Sequence, residues 1–281
     1  QYVSIPFLIS LLIVALVILP VANLIVSSFT TARLGSRTGF TLSNYLAAYT
    51  DPRFAPTFAN SLIYAGGSTF LALIFAIAFA WTVTRTNTPL KGLIGLLPLF
   101  PLLLPPMMDN IAWIFLLAPR SGVLNKFLSE SFGIGPIFNA FSLPAMIWVY
   151  GLSLVPLMYL TILPAFLMED PSLEEAAYLS GAGPLQTLRF VTLPLMLPAI
   201  VSAALLGLLH GLRSFETPTL QGIPAGIPVF ISLIYESVEL DLNYGLAVAY
   251  ATTLLVITLL LVWAYLRVTR VVGKFSAVTV R

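Results

Sequence analysis

The chain has 281 residues, of which 59% are apolar and only 9% charged, with a formal net charge of +2 and no cysteine; its mean hydropathy is +0.99. Soluble domains are about one quarter charged, so a soluble enzyme, a secreted disulfide scaffold, a zinc module and a disordered regulator are all excluded. The basic residues are scattered rather than clustered, which argues against a nucleic-acid partner.

What remains is an integral membrane protein. A bilayer core takes about 20 apolar residues per helix, and six stretches qualify: residues 5–29, 58–83, 93–117, 143–168, 193–212 and 244–266. They are apolar on every face and too long for transmembrane strands, which need about 10 alternating residues. The expectation is an all-α polytopic protein with six transmembrane helices in one domain over residues 1–281. The chain opens on Gln1 rather than Met, from which a shortened N-terminus is expected. Its first run exceeds the signal-peptide core of about 7–15 residues and has no small-residue cleavage site, so a retained helix is predicted. Six spans put both termini on one side. Lys and Arg number seven on that side and six on the other, too even a split for the positive-inside rule to orient the chain.

The polar stretch at residues 30–57 contains Asn44, Tyr45, Tyr49, Asp51 and Pro52. Prolines then crowd the spans: Pro98, Pro101, Pro105 and Pro106 in the third, Pro156 and Pro164 in the fourth, Pro194 and Pro198 in the fifth. Each removes a backbone donor and kinks a helix, which a membrane tolerates only beside other helices or a water-filled cavity. Broken helices around a cavity are a transporter pattern, and the third and fifth spans are expected to line one. Asp109, beside Asn110, is the sole acid inside a span. It either faces a pathway, sits near an interface, or makes a structural contact. His210, Arg213 and Glu216 follow at one-turn intervals. If the fifth helix continues, they share a face and Arg213 can pair with Glu216; a gate or an ion pair ending the span is expected, and no metal site. Trp81, Trp113, Trp148 and Trp263 read as interface anchors or packing.

Between the fourth and fifth spans, residues 169–181 hold two overlapping helix starts. Asp170 can cap with Pro171 at the first helical position, or Ser172 can cap with Glu175 three residues on. Leu173, Ala176, Ala177 and Leu179 give a short amphipathic helix, acidic at the end where carboxylates suit the helix dipole. Gly181 is placed to end it, and Gly183-Pro184 turns the chain towards Arg189. On physical grounds this is a helix outside the membrane, either a mere connection or a working part.

Glu175-Ala176-Ala177, three residues, Gly181, nine residues, then Val191-Thr192-Leu193-Pro194 resembles the cytoplasmic-loop signature of binding-protein-dependent ABC importer permeases. The family pattern is Glu-Ala-Ala, three residues, Gly, nine residues, Ile, any residue, Leu-Pro; Val191 stands for Ile. The resemblance implies that Glu174, Glu175, Ala176, Ala177, Gly181, Leu193 and Pro194 belong to a coupling loop, residues 169–192, seated in a groove of a cytosolic ABC ATPase dimer. It places this loop and both termini in the cytoplasm of a bacterium, the chain in its inner membrane, and residues 30–57, 124–144 and 214–243 on the outer surface where a periplasmic binding protein docks. Asn60-Ser61-Leu62, Pro119-Arg120-Ser121-Gly122, residues 214–218 and residues 222–227 resemble the iron(III) branch, whose wider group includes thiamine, polyamine and phosphonate importers. In that branch two such halves are often fused, and residues 273–279 resemble the linker after a first half; a second permease half, fused or separate, is implied.

No ATP-binding loop is present, since Gly273-Lys274 is followed by Phe275 and lacks the upstream glycine. Energy must then come from a partner, no cofactor is implied, and the chain is expected not to be an enzyme. Half of an ion-coupled secondary transporter, with Asp109 carrying a proton or cation, is the reading from another class. A membrane enzyme would need a catalytic constellation that the sequence lacks.

Overall fold

The computed structural model describes residues 4–33, 36–170 and 172–276. Helix α1 (Ser4–Ser28) leads into a short antiparallel hairpin, β1 (Thr30–Arg33) and β2 (Ser36–Phe40), and then α2 (Ser43–Thr50) and the long α3 (Phe54–Arg85). After α4 (Lys91–Leu96) comes a 3-10 stretch, Leu97–Leu103, then α5 (Pro106–Leu117), α6 (Val123–Phe132) and α7 (Leu143–Met168). Short helices α8 (Ser172–Leu179) and α9 (Pro184–Thr187) precede a π turn, Leu188–Thr192, and α10 (Leu193–Leu212). A second π turn, Pro218–Gly222, then α11 (Ile223–Ala225), α12 (Phe230–Glu239) and α13 (Tyr244–Ser276) complete the order. The tandem linker proposed for residues 273–279 falls partly outside the described residues, and Pro171 wholly so.

The core forms where α3 lies along α7, with α10 packed on both. Ser68, Ala72, Ala76 and Ala80 recur every four residues on α3, and all are fully buried. Against them sit Leu154, Met158, Ile162 and Phe166 of α7. Lipid tails are as apolar as leucine, so membrane helices associate through close packing of small residues. Gly211 of α10 is one such close approach: a Cβ there would lie 2.8 Å from the Ala65 Cβ and 2.9 Å from its Cα. A second cluster joins the start of α3 to α12 and α13 through Ala65, Phe230, Leu233 and Tyr250. Helix α1 lies against α13 and leaves its apolar side chains uncovered, Leu16 and Leu19 among them.

Among the described residues five helices are long and apolar enough to cross a membrane. They account for the first, second, fourth, fifth and sixth spans read from the sequence. The third differs: Lys91–Leu103 and Pro106–Leu117 meet at 99°. The prolines cause the break. A residue before proline is driven from helical to extended backbone, and Leu104 (ψ 135) and Pro105 (ψ 134) each precede one. Residues 214–243 also depart from a surface loop, because Pro218–Ala225 and Phe230–Glu239 form a second pair bent by 81°. Phe230, Leu233 and Ser237 share one face of α12 and are buried, so this segment folds inward onto α3 and α13.

Candidate functional site

Helix α8 does not continue α7. Glu169 leaves the helix with extended backbone (φ −75, ψ 133), and Asp170 Oδ1 then accepts from the Ser172 N–H at 3.0 Å. Asp170 therefore caps the helix as in the first of the two starts, whose Pro171 lies outside the described residues; among the described residues Ser172 makes no capping bond. At the other end Ala182 N–H reaches the Ala177 carbonyl (3.0 Å) and Gly181 N–H that of Tyr178 (2.9 Å), the paired closure of a Schellman motif. It requires the left-handed φ of +90 found at Gly181.

The faces of α8 are not those an apolar count suggests. Leu173 and Tyr178 are exposed and Leu179 is 91% exposed, whereas Glu174 is buried. The reason lies 89 residues earlier. Arg85, ending α3, directs Nε at both oxygens of Glu174, 3.1 and 3.0 Å away. Thr192 Oγ1 donates to Oε1 at 2.9 Å, and Arg85 Nη2 donates to the Glu169 carbonyl at 3.2 Å. Glu175 and Ala176 are exposed, Ala177 is half-buried and the Leu193-Pro194 pair opens α10. Sequence reasoning gave Glu174 to the helix dipole and missed Arg85 and Thr192 as its partners; the basic residue closing an apolar run was the only signal for Arg85.

The other candidates separate. Asp109, at the start of α5, faces a pocket of about 330 Å³ walled by Phe75, Phe79, Phe100 and Trp113. Its Oδ2 accepts from Ser153 Oγ of α7 at 2.7 Å. Helices α3, α5 and α7 and the 3-10 stretch line this pocket. Helix α10 contributes no residue to this pocket; it packs on α3 and α7. Asn110 is buried, its Nδ2 donating to the Pro106 carbonyl at 2.8 Å. His210, Arg213 and Glu216 do not form one face. Helix α10 stops at Leu212, Glu216 starts the next helical stretch, and no Arg213–Glu216 ion pair forms among the described residues. The tight turn at Arg213 is what separates them. The imidazole of His210 is exposed, and the His210 carbonyl accepts from Tyr150 Oη at 2.8 Å.

At the end of α3 remote from Arg85, Arg53 meets Asp51 at 3.0 Å and Glu236 of α12 at 3.6 Å, and Tyr250 Oη donates to Asp51 at 3.0 Å. Burial alone would raise the Asp51 pKa, but hydrogen bonds from Arg53 and Tyr250 outweigh it and hold the group below its ordinary value. The hydrogen bond to Asp51 in turn raises the Arg53 pKa.

The model of the family described as binding-protein-dependent transport system inner membrane component matches residues 72–274. A putative ferric transport permease, FbpB 1 of Haemophilus influenzae, is 27% identical over 71% of this chain; the match spans 31% of that protein, so this chain covers only about a third of it. The molybdenum permease ModB of Escherichia coli is 32% identical over 68% of this chain and 82% of its own length. The spermidine/putrescine permease PotB of Salmonella typhimurium is 28% identical over 93% and 91%. Among solved structures, a bacterial ABC transporter involved in alginate import superposes with a TM-score of 0.78 at 20% identity, covering 96% of this chain and 95% of that one; at that identity the likeness is one of fold. A matched region that takes in α7, the capped helix α8 and the Leu193-Pro194 start of α10 settles the assignment: the chain belongs to the inner-membrane permeases of binding-protein-dependent ABC importers.

Proposed function

We propose that this chain is a membrane-spanning part of an importer in which α8 docks in a separate cytosolic ATPase and the opposite end receives a binding protein loaded with substrate. One observation carries the reading. Helix α8 is closed at both ends and anchored beneath by Glu174, yet it leaves Leu173, Tyr178 and Leu179 exposed. Apolar side chains left exposed on a short helix at a polar end of a membrane protein await a partner. In this arrangement α8 and both ends of the chain lie in the cytoplasm, and a second permease half completes the pathway.

For the cargo we favour ferric iron, supported by the motifs at residues 60–62, 119–122, 214–218 and 222–227 and by the ferric relative. A polyamine is the second reading. The Asp109 carboxylate beside four aromatic side chains suits an organic cation, since ring faces attract positive charge. The test is uptake into proteoliposomes holding the permease with its ATPase, supplied in turn with iron-loaded and spermidine-loaded binding protein. Accumulation of iron that needs ATP bears out the first reading, and accumulation of spermidine replaces it with the second. Uptake driven by an ion gradient without ATP would overturn the importer reading in favour of a secondary transporter.

A further inference from the structure

On the reading of α8 as the coupling helix, its hold on the membrane helices becomes the next question. Its backbone packs chiefly on α9 and the π turn that follows it, and its large apolar side chains Leu173, Tyr178 and Leu179 are exposed. The strong link is a side chain. Both oxygens of Glu174 are engaged, by Arg85 from α3 and by Thr192 from the π turn at the head of α10. Arg85 also holds the Glu169 carbonyl, where α7 ends. The Glu174–Arg85 pair therefore gathers the ends of α3, α7, α8 and α10. The pair is nearly closed to water, with side-chain exposures of 11% and 5%.

We infer that Glu174, Arg85 and Thr192 form the joint through which movement of α8 is passed to the membrane helices. A screened surface pair would break and re-form freely. A desolvated pair separates only by leaving a charge unpaired in a poorly hydrated place, so the four elements move as one body. Neighbouring residues on a helix point about 100° apart, and this divides the labour between adjacent carboxylates: Glu175 faces outward and Glu174 faces the joint. The π turn suits the role, because such turns re-aim a side chain within a helix, here the Thr192 hydroxyl.

The experiment uses the permease assembled with its ATPase and binding protein. Glu174→Gln and Arg85→Gln each leave the exposed face of α8 intact. The ATPase should co-purify and hydrolyse ATP as before, while transport per ATP falls about tenfold or more. Arg85→Lys, which keeps the charge but not the fork, should lie between. Misfolding of the single variants is met by the double variant Arg85→Met/Glu174→Leu, which removes both charges and should regain thermal stability. Transport per ATP should stay low in it even so. Recovery of transport along with stability would make the pair merely structural and overturn the joint. Normal coupling in Glu174→Gln, or loss of ATPase co-purification from these variants, would overturn it too. Leu179→Asp is the separate control. If the ATPase still binds that variant at full strength, it is the coupling-helix reading that fails.

Discussion

Asn125, on α6, is only 4% exposed and spends its whole hydrogen-bonding capacity on backbone. Its Nδ2 donates to the Ala118 and Phe138 carbonyls at 3.0 and 2.8 Å. Its Oδ1 accepts from the Ile137 and Phe138 N–H groups at 3.1 and 3.0 Å. A carboxamide has two donors and two lone pairs, so the site is saturated, and a segment with no regular structure after α6 is fixed to the end of α5. Asn125→Ala strands buried backbone groups and should lower stability by about 2–4 kcal/mol. A fall in the thermal midpoint of the detergent-solubilised protein measures this, and an unchanged midpoint contradicts the role. Asp51 gives a prediction in pH. Its folded pKa lies below the ordinary value of 3.8, so its contribution is fully present above that value and is lost as pH falls through the folded pKa. Arg53 is 46% exposed, so the contribution is held to about 1 kcal/mol. Asp51→Asn should cost that much at pH 7 and markedly less near pH 3. Equal losses at both would exclude an electrostatic origin.

Elements were legible in the sequence where the physics is local. Long apolar runs gave the membrane helices, the Asp170 cap and Gly181 gave α8, and the four prolines gave a break in the third span. Partners distant along the chain were not legible. Glu174 and Arg85 are 89 residues apart, and Asn60 holds the Pro228 carbonyl across 168; no periodicity encodes such pairs. Residues 214–243 misread as a loop because Gly and Pro interrupt the apolar pattern, hiding the inward face of α12. At this scale Gly211 and Gly181 behave differently. Gly211→Ala drives a Cβ into Ala65 of α3 and should cost about 1–3 kcal/mol by overpacking, partly relieved by adding Ala65→Gly. No rescue there would mean that the contact is not what limits the helix pair. At Gly181 a Cβ meets nothing within 4 Å. The cost of Gly181→Val is therefore backbone strain, about 1–2 kcal/mol, and it falls on the closure of α8. The spans should insert normally while ATPase co-purification and uptake decline, and Gly181→Asn should be milder. Wild-type association in Gly181→Val would remove the Schellman closure from the coupling argument.

For the whole molecule, near-equal Lys and Arg counts leave orientation undecided, yet the structure assigns charged groups to two distinct ends. Arg85, Glu174 and the π turn with Arg189 gather at one, while Asp51, Arg53 and Glu236 gather at the other. Orientation thus reduces to which cluster faces the cytoplasm, and every residue at one end must share the answer. The absence of cysteine makes the question direct, because a single introduced thiol is the only one to react. Ser180, just after α8, and Ser129, on α6, are both exposed and lie at opposite ends. In spheroplasts treated with a membrane-impermeant maleimide, Ser129→Cys should label at once and Ser180→Cys only after permeabilisation. Bound ATPase should then shield Ser180→Cys and leave Ser129→Cys reactive. The reverse pattern would turn the molecule over and carry α8, with its exposed Leu173, Tyr178 and Leu179, out of reach of any cytosolic partner. Labelling of Ser180→Cys that ATPase does not reduce, with the orientation as expected, would leave the topology standing and move the docking face off α8.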